Sequence, residues 1–270
     1  KADGVTPSTL DGTDGIVMID KPGFYIKEWM DGTTSYFKLS LYPLPNYRYS
    51  PPYAFGKYKG YRNASNRLVS WSGVTPTTNR RIYEFRADAR LNRGNEFTIT
   101  PYHIYYDLML LYMAKEKNLN AQYHLGYVSN TNGTNWNNYN SYYPVWNTGY
   151  MNDKETFFCG SKSIAIPNFV GGSADLETEV VSFMGIEVFY GHTWEFLDGL
   201  ALFYTGSGVG TAYKCQNYNQ FADGSDAGGT PPTGYESVGA LTASGYVKEM
   251  HPGEIIPKTT GGTGVGSDTY

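Results

Sequence analysis

The stretch Met184-Gly185-Ile186-Glu187-Val188-Phe189-Tyr190-Gly191-His192-Thr193-Trp194-Glu195-Phe196 decides how the fold is read. It lies within residues 156–204, where short apolar runs alternate with turn residues and predict buried β structure. On its N-terminal side is residues 127–150, YVSNTNGTNWNNYNSYYPVWNTGY, too polar for a core and too aromatic for an idle linker. A loop of that length inside a domain is usually functional or disordered.

Further upstream the pattern turns helical, then β. Ile104, Leu108, Leu111 and Tyr112 share one face of a helix that Thr100 caps and Pro101 opens; Lys115 and Lys117 complement the dipole at its end. Before it, Ile82, Phe85 and Ala89 predict a helix starting near Thr77-Thr78-Asn79 and stopping at Gly94. Nearer the N-terminus, Ile16–Ile19 reads as a short strand. Phe24–Met30 and Thr34–Leu41 flank Asp31-Gly32, a strong hairpin signal. Pro43, Pro45, Pro51 and Pro52 break a Tyr-rich loop, and Tyr53–Tyr61 suggests one more short strand pair. Towards the C-terminus, 223–236 is a Gly/Pro-rich loop, 237–258 holds a strand or two, and 261–270 is a Gly/Ser/Thr tail. Grouped helices between runs of strands make the class α+β.

Composition narrows function. Charged residues are 17% of the 270, below the roughly 25% of an average domain, and aromatics are 16%, with 26 Tyr. Tyr with Asn, Ser and Gly is the chemistry of recognition faces, although Tyr also suits strands. A net charge of −4 without a basic run speaks against a nucleic-acid partner. No apolar stretch approaches the ~20 residues of a membrane span. Lys1-Ala2-Asp3-Gly4 does not read as a signal peptide; a removed leader and release by lysis both stay open.

Catalytic and metal patterns are weak. His103, His124, His192 and His251 are dispersed without HxH or HExxH spacing, so no zinc site is expected. Asp175, Glu177 and Glu179 alternate in a way that fits a Ca²⁺ loop or, more simply, a solvated strand edge; Asp223-Gly224-Ser225-Asp226 lacks the EF-hand pattern. Gly206-Ser207-Gly208-Val209-Gly210 lacks a phosphate-loop Lys and reads as a turn. The Asn63 and Asn132 sequons read as chance matches. Cys159, after Phe157-Phe158, is expected to be a buried inert thiol, with Lys214-Cys215 the more reactive context. A disulfide between them stays open. No cofactor is expected. The candidate ligand-binding residues are Trp136, Tyr139, Tyr142, Tyr143 and Trp146, whose flat rings among Asn amides suit sugars and protein epitopes. Packing onto their own domain or a neighbouring subunit is the alternative.

Gly191, Trp194, Glu195 and Phe196 resemble the G-N-V-W-E-W signature of formylglycine-generating-enzyme-like domains, with His192 in place of the usual Asn. The similarity extends over Asp11–Leu41, the two helices, Asn120-Ala121-Gln122 and Lys214-Cys215-Gln216-Asn217, covering most of residues 11–260. It points to the phage tail, fibre and diversity-generating-retroelement branch of that family. The resemblance implies a C-type-lectin-like α+β domain with two helices, short antiparallel strands and long loops, spanning 76–270, with an N-terminal β-hairpin extension over 1–75. It implies that Gly191 permits a tight turn, that Trp194 and Phe196 fill the core, and that Glu195 holds loop backbone. The oxidases of the family use a late cysteine pair whose context neither Cys159 nor Cys215 matches, so no enzyme is expected. The R-G-G-S-W-like stretch that carries the variable binding residues of the retroelement targets is not found, and that site carries over to no residue. The expected role is host receptor binding or adhesion at the virion surface or extracellularly. Expected partners are a host glycan or protein, other virion subunits, and copies of itself in a trimer. A structural virion subunit and a bacterial surface adhesin are the alternatives, with an oxidase of the formylglycine-generating type the less favoured third.

Overall fold

The computed structural model describes residues 8–32, 34–126, 145–166, 176–193, 195–204, 209–223, 230–242, 246–251 and 253–261. In chain order they form β1 (Met18–Lys21), β2 (Phe24–Asp31), β3 (Thr34–Ser40), β4 (Arg48–Ser50), β5 (Tyr53–Gly56), β6 (Tyr61–Arg62), β7 (Leu68–Val69), α1 (Ile82–Arg93), α2 (Tyr102–Glu116) and α3 (Ala121–Leu125). There follow β8 (Gly160–Ile166), β9 (Leu176–Phe183), β10 (Ile186–Glu187), β11 (Leu200–Tyr204), β12 (Val209–Lys214), β13 (Glu236–Thr242), β14 (Tyr246–Met250) and β15 (Pro257–Gly261). The class is mixed α+β, with small antiparallel sheets.

The chain divides into two compact units, each assembled from three segments. Residues 1–20, 54–80 and 121–195 make the first; 21–53, 81–120 and 196–270 make the second. Residues 1–75 contribute to both units.

In the first unit, β8, β9 and β10 form one antiparallel sheet, with β1–β5 and β6–β7 as two-stranded pairs. β5 pairs with β1 and β6 with β7, so the strand pair expected over Tyr53–Tyr61 does not form. Alternation on β9 sends Thr178 and Val180 inward and Glu177 outward. Glu177 and Glu179 thus sit on a strand, with Glu179 accepting from Ser161 Oγ at 3.0 Å. Trp146, Met151, Ile164, Val180 and Val188 form a buried cluster, flanked by Tyr150 and Phe158.

In the second unit, α1 begins at Ile82, later than the Thr77-Thr78-Asn79 cap predicts. The physical reason is Glu84, whose carboxylate reaches back to accept from the Arg81 N–H at 2.8 Å. α1 stops at Gly94, as expected. Its buried side includes Arg86 and Asp88 beside Ala89, so it is more polar than the Ile82/Phe85/Ala89 face suggests. Arg86 is satisfied by a two-pronged pair with Asp198, at 2.8 Å from both Nε and Nη2, and by Asp223 Oδ1 at 2.8 Å. α2 runs from Tyr102 and is buried on several sides at once, by Tyr102, Ile104, Tyr106, Leu108, Leu110 and Tyr112. Tyr106 and Leu110 close over Phe24 and Ile26 of β2. Tyr102 joins Ala212, Leu241 and Ile256 in a second cluster, between α2, β12 and β13.

Candidate functional site

The sheet β3–β2–β4 of the second unit carries the site. Its local structure follows from period two. On β2 the even residues Phe24 and Ile26 turn inward, and β3 adds Phe37 and Leu39 to the same apolar cluster. The odd residues Tyr25, Lys27 and Trp29 therefore turn to the other face. The register places Tyr25 opposite Tyr49 of β4, and Lys27 and Trp29 opposite Lys38 and Tyr36 of β3. Asp31 pairs with Thr34 to close the hairpin next to Gly32, at φ +59°.

The outward face is an aromatic ladder with two cations set into it. Trp29 and Tyr36 stack with centroids 5.3 Å apart and planes 10° from parallel. Tyr25 and Tyr49 lie 4.9 Å apart, tilted by 38°. The ammonium groups of Lys27 and Lys38 sit 5.8 and 5.7 Å from the Trp29 ring centre, within cation–π range. Trp29, Tyr36 and Tyr49 remain 37%, 42% and 53% exposed, so part of each ring is left in water. Gly23 makes room for the ladder's end: a Cβ there would come within 2.3 Å of the Tyr49 hydroxyl oxygen. From Tyr25 to Trp29 the ladder runs about 14 Å at the usual strand rise, matching a short oligomer of ring-shaped units.

The back of the sheet is held by charge. Glu28 accepts from Arg48 Nε and Nη2, both at 3.2 Å, and from the Tyr106 hydroxyl. Arg48 Nη2 also donates to Asp107 Oδ1 at 2.8 Å, and Ser50 Oγ donates to Asp107 Oδ2 at 2.5 Å. The chain β2–β4–α2 is thereby tied together beneath the ladder. Burial opposes the charge on Arg48, but Asp107 and Glu28 outweigh it and raise its pKa. Burial, reinforced by Glu28, pushes the Tyr106 phenol far up, so it stays a proton donor. Ser50 bonds directly to a carboxylate, while His103 Nε2 lies 3.2 Å from the Tyr218 hydroxyl. The serine's neighbour is therefore not an imidazole, which is what a serine nucleophile and its base require.

The sequence-expected residues fall differently. Trp136, Tyr139, Tyr142 and Tyr143 lie outside the described residues, as does Trp194. Trp146 is corrected from ligand contact to core: it is 4% exposed and stacks flat on His192, with centroids 3.5 Å apart. Gly191 adopts φ +77°, the left-handed turn expected of it. Phe196 does not fill the core; it is 47% exposed, with its ring 6.3 Å from that of Phe85. Glu195 pairs with Lys59. The loop-holding carboxylate is instead Glu187, buried, accepting from the Gly149 and Met151 N–H groups at 2.7 and 2.9 Å. Both cysteines are free. Their expected order is reversed: Cys215 is buried, and Cys159 is partly exposed, accepting from the Met184 N–H at 3.2 Å. No group of three or more His, Cys, Asp or Glu suited to a metal ion occurs among the described residues. No helix of the described residues is long and apolar enough to cross a membrane.

The sequence reading missed Trp29, Tyr36, Tyr25 and Tyr49 as site residues. Their signal was present in the alternation of Phe24–Met30, where Tyr25, Lys27 and Trp29 alternate with Phe24 and Ile26 of the core. No family model matches the chain, and no curated protein or solved structure matches it.

Proposed function

We propose that the protein is a receptor-binding or adhesion component of a phage particle surface, on a tail, fibre or capsid, and that the face of β2, β3 and β4 is its contact surface for a host glycan. The observation that supports this most is the Trp29–Tyr36 stack, exposed on a sheet whose other face gives Phe24, Ile26, Phe37 and Leu39 to the core. A cross-strand aromatic pair stabilises its hairpin, and a pair this exposed also leaves a plate of apolar ring surface in water, as interaction sites do. Such a plate suits the apolar face of a sugar ring, with neighbouring hydroxyl and ammonium groups left to bond the sugar's hydroxyls. The C-type-lectin-like fold and the trimeric assembly implied by the family resemblance are part of the same proposal. A trimer presents three such faces, and repetition multiplies weak single contacts.

A second reading, a purely structural virion subunit, draws on a different observation. Leu41, Tyr42 and Leu44, just after β3, are strongly exposed, a composition suited to burial against another subunit.

The test is binding of the labelled, multimerised protein to a panel of bacterial strains and their isolated surface polysaccharides. Wild type is compared with Trp29→Ala and with Trp29→Ala/Tyr36→Ala. Strain-selective binding that falls about tenfold or more in the variants is the expected result, because a central aromatic carries a large share of an interface's energy. Selective binding unchanged by both variants moves the site off this sheet. No binding to any strain, with stable incorporation into particles, supports the structural reading.

A further inference from the structure

We infer that the glycan recognised by the Trp29 face is anionic, with a sugar carboxylate bridging Lys27 and Lys38 while its ring lies on the Trp29–Tyr36 plate. The inference rests on the reading of that face as a saccharide contact and adds the charge of the ligand.

Its basis is a pairing that folding alone disfavours. Lys27 and Lys38 are directly opposite each other on antiparallel strands, on the exposed side. Like charges placed so are destabilising, and sequences commonly put an acid opposite a base instead. Neither ammonium has a carboxylate partner among the described residues; each is set over the Trp29 ring, at 5.8 and 5.7 Å. The acid next to them in sequence, Glu28, points to the opposite side and is consumed by Arg48 and Tyr106. Asp31 shares the face but lies at the turn, about 13 Å along the strand from Lys27. Two cations with no carboxylate partner among the described residues thus converge beside one flat ring in a chain whose net charge is −4. A carboxylate between them relieves the repulsion and leaves the ring of the same residue over the tryptophan. Single-stranded nucleic acid, the other ligand of aromatic sheet faces, needs a track of cations following its backbone, and this face offers one pair.

The experiment measures binding of the full chain to polygalacturonate and to its methyl-esterified form, which keeps the backbone and removes the charge. An oligothymidylate serves as the nucleic-acid probe. Each exposed charge contact is modest, and two together make the acid form bind about tenfold tighter than the ester, a ratio that shrinks as salt is raised. Lys27→Gln/Lys38→Gln is expected to bring the acid form down to the level of the ester while the circular dichroism spectrum is unchanged, and Trp29→Ala to weaken both. Equal, Trp29-dependent binding of acid and ester forms overturns the charge assignment and leaves the saccharide reading standing. Absence of Trp29-dependent binding to either polysaccharide, with bacterial polysaccharides also failing, overturns both. Trp29-dependent preference for the oligonucleotide overturns the proposal in favour of a nucleic-acid face.

Discussion

Replacing Asp107 by Ala tests whether the ladder is held from behind. Asp107 is 2% exposed and accepts two bonds, from Ser50 Oγ and from Arg48 Nη2. Its removal strands the Ser50 hydroxyl, which is itself buried; an unsatisfied buried donor costs about 1–3 kcal/mol. Arg48 loses one carboxylate but keeps Glu28, and its side chain is 44% exposed, so water rescues it and its share is at most about 1 kcal/mol. The total is about 1–4 kcal/mol. Asp107→Asn, retaining one acceptor oxygen, should cost about half as much, and Arg48→Met, which leaves the buried Asp107 carboxylate with Ser50 alone, about 3 kcal/mol. Equilibrium urea unfolding followed by far-ultraviolet circular dichroism gives these values. Because β4 carries both Ser50 and Tyr49, glycan binding should weaken in Asp107→Ala even though no ladder residue has changed. A loss below about 1 kcal/mol for Asp107→Ala refutes the reasoning.

Two further perturbations probe the first unit. Trp146→Ala should cost about 3–5 kcal/mol, the price of a large buried ring and its cavity, and leave saccharide affinity unchanged; melting and binding measured on one preparation separate core from contact. For Glu187, burial raises the carboxyl pKa above its ordinary 4.5, against the pull of the Met151 and Gly149 N–H groups and of Lys57. A raised acid pKa means the folded state holds the proton more tightly. The associated stability is present below the unfolded value and is lost as pH rises through the folded one. Wild type should therefore lose stability relative to Glu187→Gln as pH rises from about 4.5, and the two should run parallel below it. Melting curves across that range that keep a constant offset, or diverge in the opposite sense, contradict the assignment.

Much of this architecture is legible locally. The hairpin is encoded twice, by Asp31-Gly32 and by the alternation of Phe24, Ile26 with Tyr25, Lys27, Trp29, and both signals agree. The start of α1 is not, because Thr77, Thr78 and Asn79 are good caps on paper while Glu84 supplies the reciprocal bond to the Arg81 N–H. α2 hides in another way: it is buried on several sides, so a single-face pattern underestimates it. Site residues are harder still, because composition counts rings without saying which face they take. Residues 127–150 are the richest in aromatics, yet Trp146 within them is core, while the exposed stack comes from Trp29 and Tyr36, seven residues apart and joined by a turn. Glu187 and Glu195 look interchangeable as acids beside Gly191. Only packing assigns backbone holding to the former and an ion pair with Lys59 to the latter.

The interleaving of the two units bears on how such a protein diversifies. The chain passes from one unit to the other at five points, after residues 20, 53, 80, 120 and 195. Neither unit is a contiguous cassette, so a single recombination breakpoint between residues 21 and 195 severs both, and no single breakpoint exchanges one unit whole. Inheritance of either unit intact requires all of its segments to travel together. Under the proposed role, change in specificity then comes most cheaply from point substitution at outward-facing strand positions, where a new side chain alters the ladder and the inward-facing partners keep the register.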